Sequence, residues 1–254
     1  MSLGPSLERL YARLLRYLTL GRGVKWDVDG ETTLRIDPRC RWIRNPSYEA
    51  RVVEYLRGRM RPGDCCVDVG AHVGYYALQM ALWTAPGGHV FAFEPNPLAR
   101  DVLAANVRLN GLDDRITVEP HAVAGEVGRA SLFNAAETTG LSRLGAPNPE
   151  SDRGATVEVD VVTLDGYCAE RGIIPQWVLI DTEGLELDIL EGAAGLLVDR
   201  RISFVVELHP DLWERGRQQT AVLLEGLLRT CGRSAVPLTG QRSLLDDYGT
   251  IAIP

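Results

Sequence analysis

The residues best placed to do chemistry in this chain sit in four short runs, each following an apolar stretch. Cys66-Val67-Asp68-Val69 leads into Gly70-Ala71-His72-Val73-Gly74-Tyr75-Tyr76, an acid followed by two glycines four apart. His89-Val90-Phe91-Ala92-Phe93 ends in Glu94-Pro95-Asn96-Pro97. Trp177-Val178-Leu179-Ile180 runs into Asp181-Thr182-Glu183-Gly184, and Phe204-Val205-Val206 into Glu207-Leu208-His209-Pro210. Ligands of open parallel sheets bind outside the carboxyl ends of the strands, so the polar ends of these runs are expected to share one cleft.

The first two runs select the ligand. Dinucleotide sites receive pyrophosphate on a G-x-G-x-x-G helix N-terminus, where fixed negative charge is unwelcome. This loop reads D-x-G-x-x-x-G, and a carboxylate at Asp68 suits a ligand that carries an ammonium and a sulfonium. S-adenosylmethionine therefore fits better than NAD, with Gly70 and Gly74 letting the backbone approach the methionine moiety and Glu94 accepting hydrogen bonds from the ribose hydroxyls. An ordinary strand-turn-helix with incidental glycines is the bland alternative, and the spacing of Glu94 weighs against it.

Methyl transfer is an in-line displacement in which the protein chiefly aligns the acceptor and excludes water. An alcohol acceptor must also lose a proton, which makes Asp181, Glu183, Glu207 and His209 the candidates for that step. His209 has the most suitable intrinsic pKa, although a lone His before Pro is often merely hydrogen-bonded at a strand end. Asp181 is expected nearest the reacting methyl, and Glu183 is equally placed to cap the following helix. The same four residues offer hard-cation ligands, so magnesium orienting the acceptor oxygen is the alternative to the metal-free site we expect. His72 and His121 are expected to shape the adenosine pocket, or to be packed surface histidines.

The elements that must position these residues follow from periodicity. Strands are expected at 65–69, 89–93, 116–119, 157–161, 177–181 and 202–207, and helices at 74–83, 96–110, 163–171, 185–197 and 219–231. That alternation predicts an α/β fold with a doubly wound, mostly parallel sheet. Ahead of it, Leu7, Leu10, Tyr11, Leu14, Leu15 and Leu18 have helical spacing, Gly23 to Asp37 alternates around a hairpin signal at Asp29-Gly30, and Tyr48 to Met60 reads as a helix. We expect residues 1–62 to be an extension of a cofactor domain spanning 63–254. The polar stretch from Asn134 to Arg153 is long enough to be a substrate lid or a mobile loop.

Composition narrows the partners. The 254 residues carry a net charge of −7, which argues against non-specific nucleic-acid binding. Charge is asymmetric, with thirteen basic against seven acidic residues through Pro62 and fourteen against twenty-seven beyond it. A basic face docking on an acidic domain accounts for this, ahead of an entrance for an anionic substrate. No run reaches the length of a membrane span, no signal-peptide core is evident, and the five cysteines form no C-x-x-C pair. A cytoplasmic protein is expected, and its N-terminal helix is a reasonable homodimer contact.

The ordered set of motifs from Val67 to Tyr76, Phe93 to Pro97, Leu179 to Glu186 and Val206 to Pro210 resembles the FkbM-type methyltransferase family. The match runs from about Tyr48 to His209. The resemblance implies a class I S-adenosylmethionine-dependent fold and O-methylation of sugars, polyketides or related natural products. It assigns Asp68, Gly70 and Gly74 to the methionine side of the cofactor, Glu94 to the ribose and the His121-Ala122-Val123 turn to the adenine edge, with Ala71, His72, Pro95 and Asn96 also at the cofactor. Asp181 and Glu183 fall on the family's I-D-x-E-G block, with Asp181 also facing the cofactor. Members often carry Lys two residues before that Asp; here the residue is Leu179. Tyr48-Glu49 matches a pair upstream of the cofactor strand that would close the methionine pocket, a helix-starting Glu being the alternative. The expectation is an O-methyltransferase acting on a hydroxyl of a small molecule or glycoside. The alternatives are N-methylation and a non-catalytic S-adenosylmethionine-binding partner subunit.

Overall fold

In the computed structural model, the described residues are 5–28, 32–44, 49–133, 143–144, 155–213, 217–243, 245 and 247–254. Tyr48, the Asp29-Gly30 turn and most of the 134–153 stretch lie outside them. Helix α1 (Pro5–Leu18) opens the chain. Among its described side chains Ala12 is buried, whereas Tyr11, Leu14 and Leu18 of the expected apolar stripe are 42%, 51% and 65% exposed. Alternation then forms the expected antiparallel ribbon, β1 (Val24–Asp27) on β2 (Thr33–Ile36), which buries Trp26, Leu34 and Ile36. Helix α2 (Ala50–Arg57) turns Val52 and Leu56 inward.

The ribbon shares a core with the elements that follow it. Trp26, Ile36 and Ile43 belong to the same buried cluster as Ala77, Leu78 and Leu103. Buried Asn106 completes the junction by accepting the Asp37 amide at 2.7 Å and donating to the Val73 carbonyl at 2.8 Å. The extension is thereby tied to the backbone of the glycine loop.

From Cys65 onward, strands with almost no exposed position alternate with helices, the pattern of a parallel sheet covered on both faces. β3 (Cys65–Val69), α3 (Tyr75–Trp83), β4 (His89–Phe93), α4 (Pro97–Leu109) and β5 (Ile116–Glu119) form one wing, with β3–β4 and β4–β5 paired in parallel. Next come β6 (Ala122–Val123), β7 (Gly128–Phe133), β8 (Arg143–Leu144) and β9 (Val157–Val162), which make a separate four-stranded sheet in the order β6-β9-β7-β8. The expected 157–161 strand therefore exists but leaves the main sheet. Val157, Val159 and Val161 alternate with Glu158 and Asp160, so it has one wet face and pairs antiparallel with β7.

The chain returns through α5 (Leu164–Arg171) to β10 (Trp177–Ile180), which pairs in parallel with β3. The single helix expected at 185–197 is broken into α6 (Glu186–Glu191) and α7 (Ala194–Val198). The break falls at Gly192, where a Cβ would meet the Ala124 carbonyl oxygen at 2.5 Å, so the backbone turns against the loop after β6. β11 (Ser203–Leu208) and α8 (Arg217–Thr230) come next, and then β12 (Val236–Pro237) and β13 (Gly249–Ile253), two antiparallel strands absent from the sequence expectation. The main sheet reads β12-β13-β11-β10-β3-β4-β5. Phe93, Ile180 and Phe204 are fully buried at its centre, each worth about 1.5–3 kcal/mol of apolar transfer.

Candidate active site

Strand polarity brings the ends of β3, β4, β5 and β10 to one side of the sheet, where a cleft of about 460 Å³ opens. Gly70, His72, Glu94, Pro95, Asn96, His121, Ala122, Val123, Asp181, Thr182 and Glu183 are among its walls. Asp68, Ala71 and Gly74, also expected at the cofactor, are not. Gly74 instead starts α3 at a φ of 94°, and a Cβ there would meet Leu103 Cδ1 at 2.6 Å, so its smallness serves helix packing. Gly70 is different: at a φ of 83°, a Cβ would come within 1.8 Å of the Asp181 carbonyl oxygen. Only glycine lets the β3 and β10 loops approach this closely.

Period two places Asp68 on the same face of β3 as Cys66, toward α3. It is 1% exposed, and neither carboxylate oxygen has a hydrogen-bond partner among the described residues. The Ala77 amide in the first turn of α3 acts on it favourably, but burial dominates and, with Glu94 nearby, pushes its pKa up to about 7. A buried carboxylate without a partner is the observation that fits a cationic ligand group.

Glu94 is equally buried but held. Its Oε2 accepts the His72 amide at 2.7 Å and its Oε1 accepts the Asn96 amide at 2.7 Å. Burial raises its pKa to about 7 against these bonds and the charge of Arg100. Each oxygen keeps a lone pair, which is what a vicinal diol requires. His72 adopts a left-handed φ of 50° to present that amide, a conformation unusual for a non-glycine residue. Asn96 also caps α4 by accepting the Leu98 amide at 2.9 Å. At the other end of the cleft, His121 Nδ1 lies 3.1 Å from Glu119 Oε2, and the Tyr167 hydroxyl donates to Glu119 Oε1 at 2.7 Å.

Asp181 belongs to two places. It walls the cleft, and one of its carboxylate oxygens, one of Glu207 and a ring nitrogen of His209 lie within 4.8 Å of one another. That is close enough for one bound atom or ion to touch all three, and Glu183 falls outside the trio. Burial and then the neighbouring Glu207 push the Asp181 carboxyl well above the usual carboxylate range, because two carboxylates so close do not both ionise freely. The Tyr248 hydroxyl donates to Glu207 Oε1. Glu49 also faces this cluster rather than the cleft: it bonds to Tyr76 and is raised by burial first and by Glu207 second. It also occupies the N-cap position of α2, without a side-chain capping bond.

Glu183 does not cap α6 either. A positive φ of 50° turns it toward the cleft, and Glu186 supplies the carboxylate that accepts the Gly184 amide, at 2.7 Å. Glu186, Glu119, Tyr76 and Tyr248 contact candidate residues and were not singled out in the sequence. Glu119 was within reach, since it ends a parallel strand just as Glu94 follows one. Glu186 had a signal too, a charge among Leu185, Leu187, Ile189 and Leu190.

This architecture is that of a class I methyltransferase, a Rossmann-like sheet with the ligand cleft at its carboxyl edge. The family described as Methyltransferase FkbM domain matches residues 68–234, and the chain belongs to that family. One curated relative, 31-O-demethyl-FK506 methyltransferase FkbM of Streptomyces tacrolimicus, is 33% identical over 184 residues, covering 61% of this chain and 70% of that protein. Another, hexuronic acid methyltransferase AglP of Haloferax volcanii, is 29% identical over 175 residues, covering 66% of this chain and 65% of that protein. Among solved structures, methyltransferase FkbM from Methylobacillus flagellatus KT superposes with a TM-score of 0.53 at 17% identity, covering 77% of this chain but 44% of that one. The chain is an S-adenosylmethionine-dependent methyltransferase. Among the described residues no helix is long and apolar enough to cross a membrane.

Proposed function

We propose that the enzyme methylates a hydroxyl oxygen of a small-molecule or glycoside acceptor. The cofactor, when bound, supplies an electrophilic methyl group. Asp68 would face its cationic methionine end, Glu94 its ribose hydroxyls, and the His121-Ala122 turn its adenine. The observation that carries the reading is the double membership of Asp181, which joins the cofactor cleft to the cluster of Glu207 and His209. An acceptor hydroxyl seated at that junction can donate its hydrogen to the cluster while its oxygen faces the cleft. His209 is the best proton acceptor of the set, its ordinary pKa being closest to neutral. The names of the two curated relatives, one built on a demethylated FK506 and one on a hexuronic acid, support a small-molecule or sugar acceptor.

Incubation with S-adenosylmethionine and a panel of hydroxylated macrolides and glycosides tests this. S-adenosylhomocysteine should form, and product fragmentation should place the new methyl on oxygen. We read the site as working without a metal, so turnover should survive chelation by EDTA. A methyl on nitrogen would refute the oxygen assignment, and loss of turnover in EDTA that magnesium restores would refute the metal-free one.

A further inference from the structure

Glu186 is a carboxylate in a place where carboxylates are rarely found. It is 0% exposed, on the first turn of a helix whose other buried positions are apolar. Such a group persists only where hydrogen bonds replace its lost water. Two donors and a histidine ring nitrogen meet it here. Its Oε1 accepts the Gly184 amide at 2.7 Å and faces His209 Nδ1 at 3.0 Å, and its Oε2 accepts the Trp213 indole N–H at 2.7 Å. The one ionisable cation seen against it among the described residues is His209 itself.

Those contacts give the carboxylate a direction. Its two donors are rigid, a backbone amide in the turn that carries Asp181 and Glu183 and an indole fixed at the start of the segment after β11. The third contact, His209, is a ring with a choice of tautomer, and an ionised carboxylate at Nδ1 requires a hydrogen there. The lone pair of the neutral ring then resides on Nε2. We infer that Glu186 is a positioning residue, which locks His209 in the Nδ1–H form and steadies the ring once it has taken the acceptor proton. This rests on the proposed oxygen methylation. In that step the acceptor O–H bond breaks and its proton passes to His209 Nε2. The oxygen forms the new bond to the methyl carbon, and the electron pair of the broken sulfur–carbon bond stays on sulfur. The proton later leaves to solvent.

The surroundings of His209 agree. Facing it are Glu186 from α6, Glu183 from the β10 turn, Asp181 at the end of β10, Glu207 on its own strand, Glu49 ahead of α2 and the Tyr248 ring, 5.3 Å away between centroids. Burial by itself lowers the pKa of the ring. The bond to Glu186 and the charges of Glu186, Glu207 and Glu183 outweigh it and raise the pKa above the ordinary 6.5.

The first test needs no acceptor. In protein saturated with S-adenosylhomocysteine, long-range proton–nitrogen NMR of the imidazole should show His209 protonated at Nδ1, titrating above 6.5, in a spectrum that manganese ions leave unbroadened. In Glu186→Gln the ring pKa should fall and the Nδ1–H signature weaken. With an acceptor in hand, the acid limb of the kcat–pH profile should move down in pH and kcat drop by roughly ten- to a hundredfold, with KM nearly unchanged. An Nε2–H tautomer in the wild type, selective manganese broadening of His209, or an unmoved acid limb in Glu186→Gln would each overturn the inference. Should Glu186→Gln not fold, the wild-type tautomer still decides. Methylation on nitrogen alongside an Nδ1–H ring would sink the oxygen reading but leave the positioning role standing.

Discussion

Replacing Asp68 by Asn should make the empty protein more stable and the cofactor site useless. Both effects come from the same buried, unpartnered carboxylate. Its pKa in the fold is about 7, against an ordinary value of 3.8, a rise of about three pH units. The sign follows from which form the fold prefers. A carboxyl whose pKa is raised by folding contributes full stability below about pH 4, and that contribution disappears as pH climbs through 7. The total is about 4 kcal/mol, of which about 2.5 kcal/mol falls between pH 5 and pH 8. The amide introduced by Asp68→Asn does not titrate, so the variant-minus-wild-type difference in unfolding free energy should grow by about 2.5 kcal/mol over that interval. Glu94 and Asp181 shift in the same direction and are present in both proteins, so they cancel except for their coupling to the Asp68 charge. An amide left unpartnered costs about 1–3 kcal/mol itself, so the absolute gain near pH 8 is smaller than the slope suggests. Urea unfolding of the ligand-free proteins at the two pH values measures the slope directly. Calorimetry with S-adenosylhomocysteine should show affinity reduced by about a hundredfold or more, the loss of one charge-assisted contact. Parallel pH dependence in the two proteins would show that Asp68 is solvated or already paired. Unchanged cofactor affinity would remove it from the methionine side.

Other perturbations separate binding, chemistry and scaffold. Gly70→Ala puts a Cβ 1.8 Å from the Asp181 carbonyl oxygen at a left-handed φ, so the loop must shift; calorimetry should show cofactor affinity weakened by more than about tenfold while circular dichroism shows the fold retained. Asp181→Ala should leave affinity for S-adenosylhomocysteine within about threefold of wild type and lower kcat by roughly a hundredfold or more, with loss of binding refuting the division between cofactor and acceptor roles. Asn106→Leu removes the side chain that accepts the Asp37 amide and donates to the Val73 carbonyl, and urea unfolding should register a loss of about 2–4 kcal/mol. A loss below about 0.5 kcal/mol would mean the N-terminal ribbon is held by its apolar contacts alone.

Legibility followed burial. β3, β4, β10 and β11 were readable because both faces of each are covered, which writes a continuous apolar run ended by a polar residue at the ligand edge. The same rule picked out Asp68, Glu94 and Asp181; Glu94 and Asp181 wall the cleft, and Asp68 is buried within electrostatic reach of both. It could not place β9 in the main sheet, and the alternation of Val157-Glu158-Val159-Asp160-Val161 was the available warning that one of its faces is wet. β13 is as long and as buried as β3, but Gly249-Thr250-Ile251-Ala252-Ile253 carries two polar or small positions at its start and its antiparallel place against β11 depends on a long return through α8.

Glu183 and Glu186 show a different limit. In sequence both are acids of one D-x-E-G-x-E run, and the first is better spaced to meet the helix beyond it. What separates them is a single backbone torsion: Glu183 at positive φ turns toward the cleft, and the chain then re-enters helical geometry so that Glu186 points into the core. A residue type does not announce a left-handed φ unless it is Gly, Asn or Asp, so no periodicity argument could have found it. The functional consequence is an exchange of duties, with the cleft-facing acid free to meet a ligand and the buried one committed to a histidine 23 residues further along the chain. An acid at a core position of an amphipathic pattern is thus the more informative of the two, because burying it demands a partner and the partner here is a candidate for the chemistry.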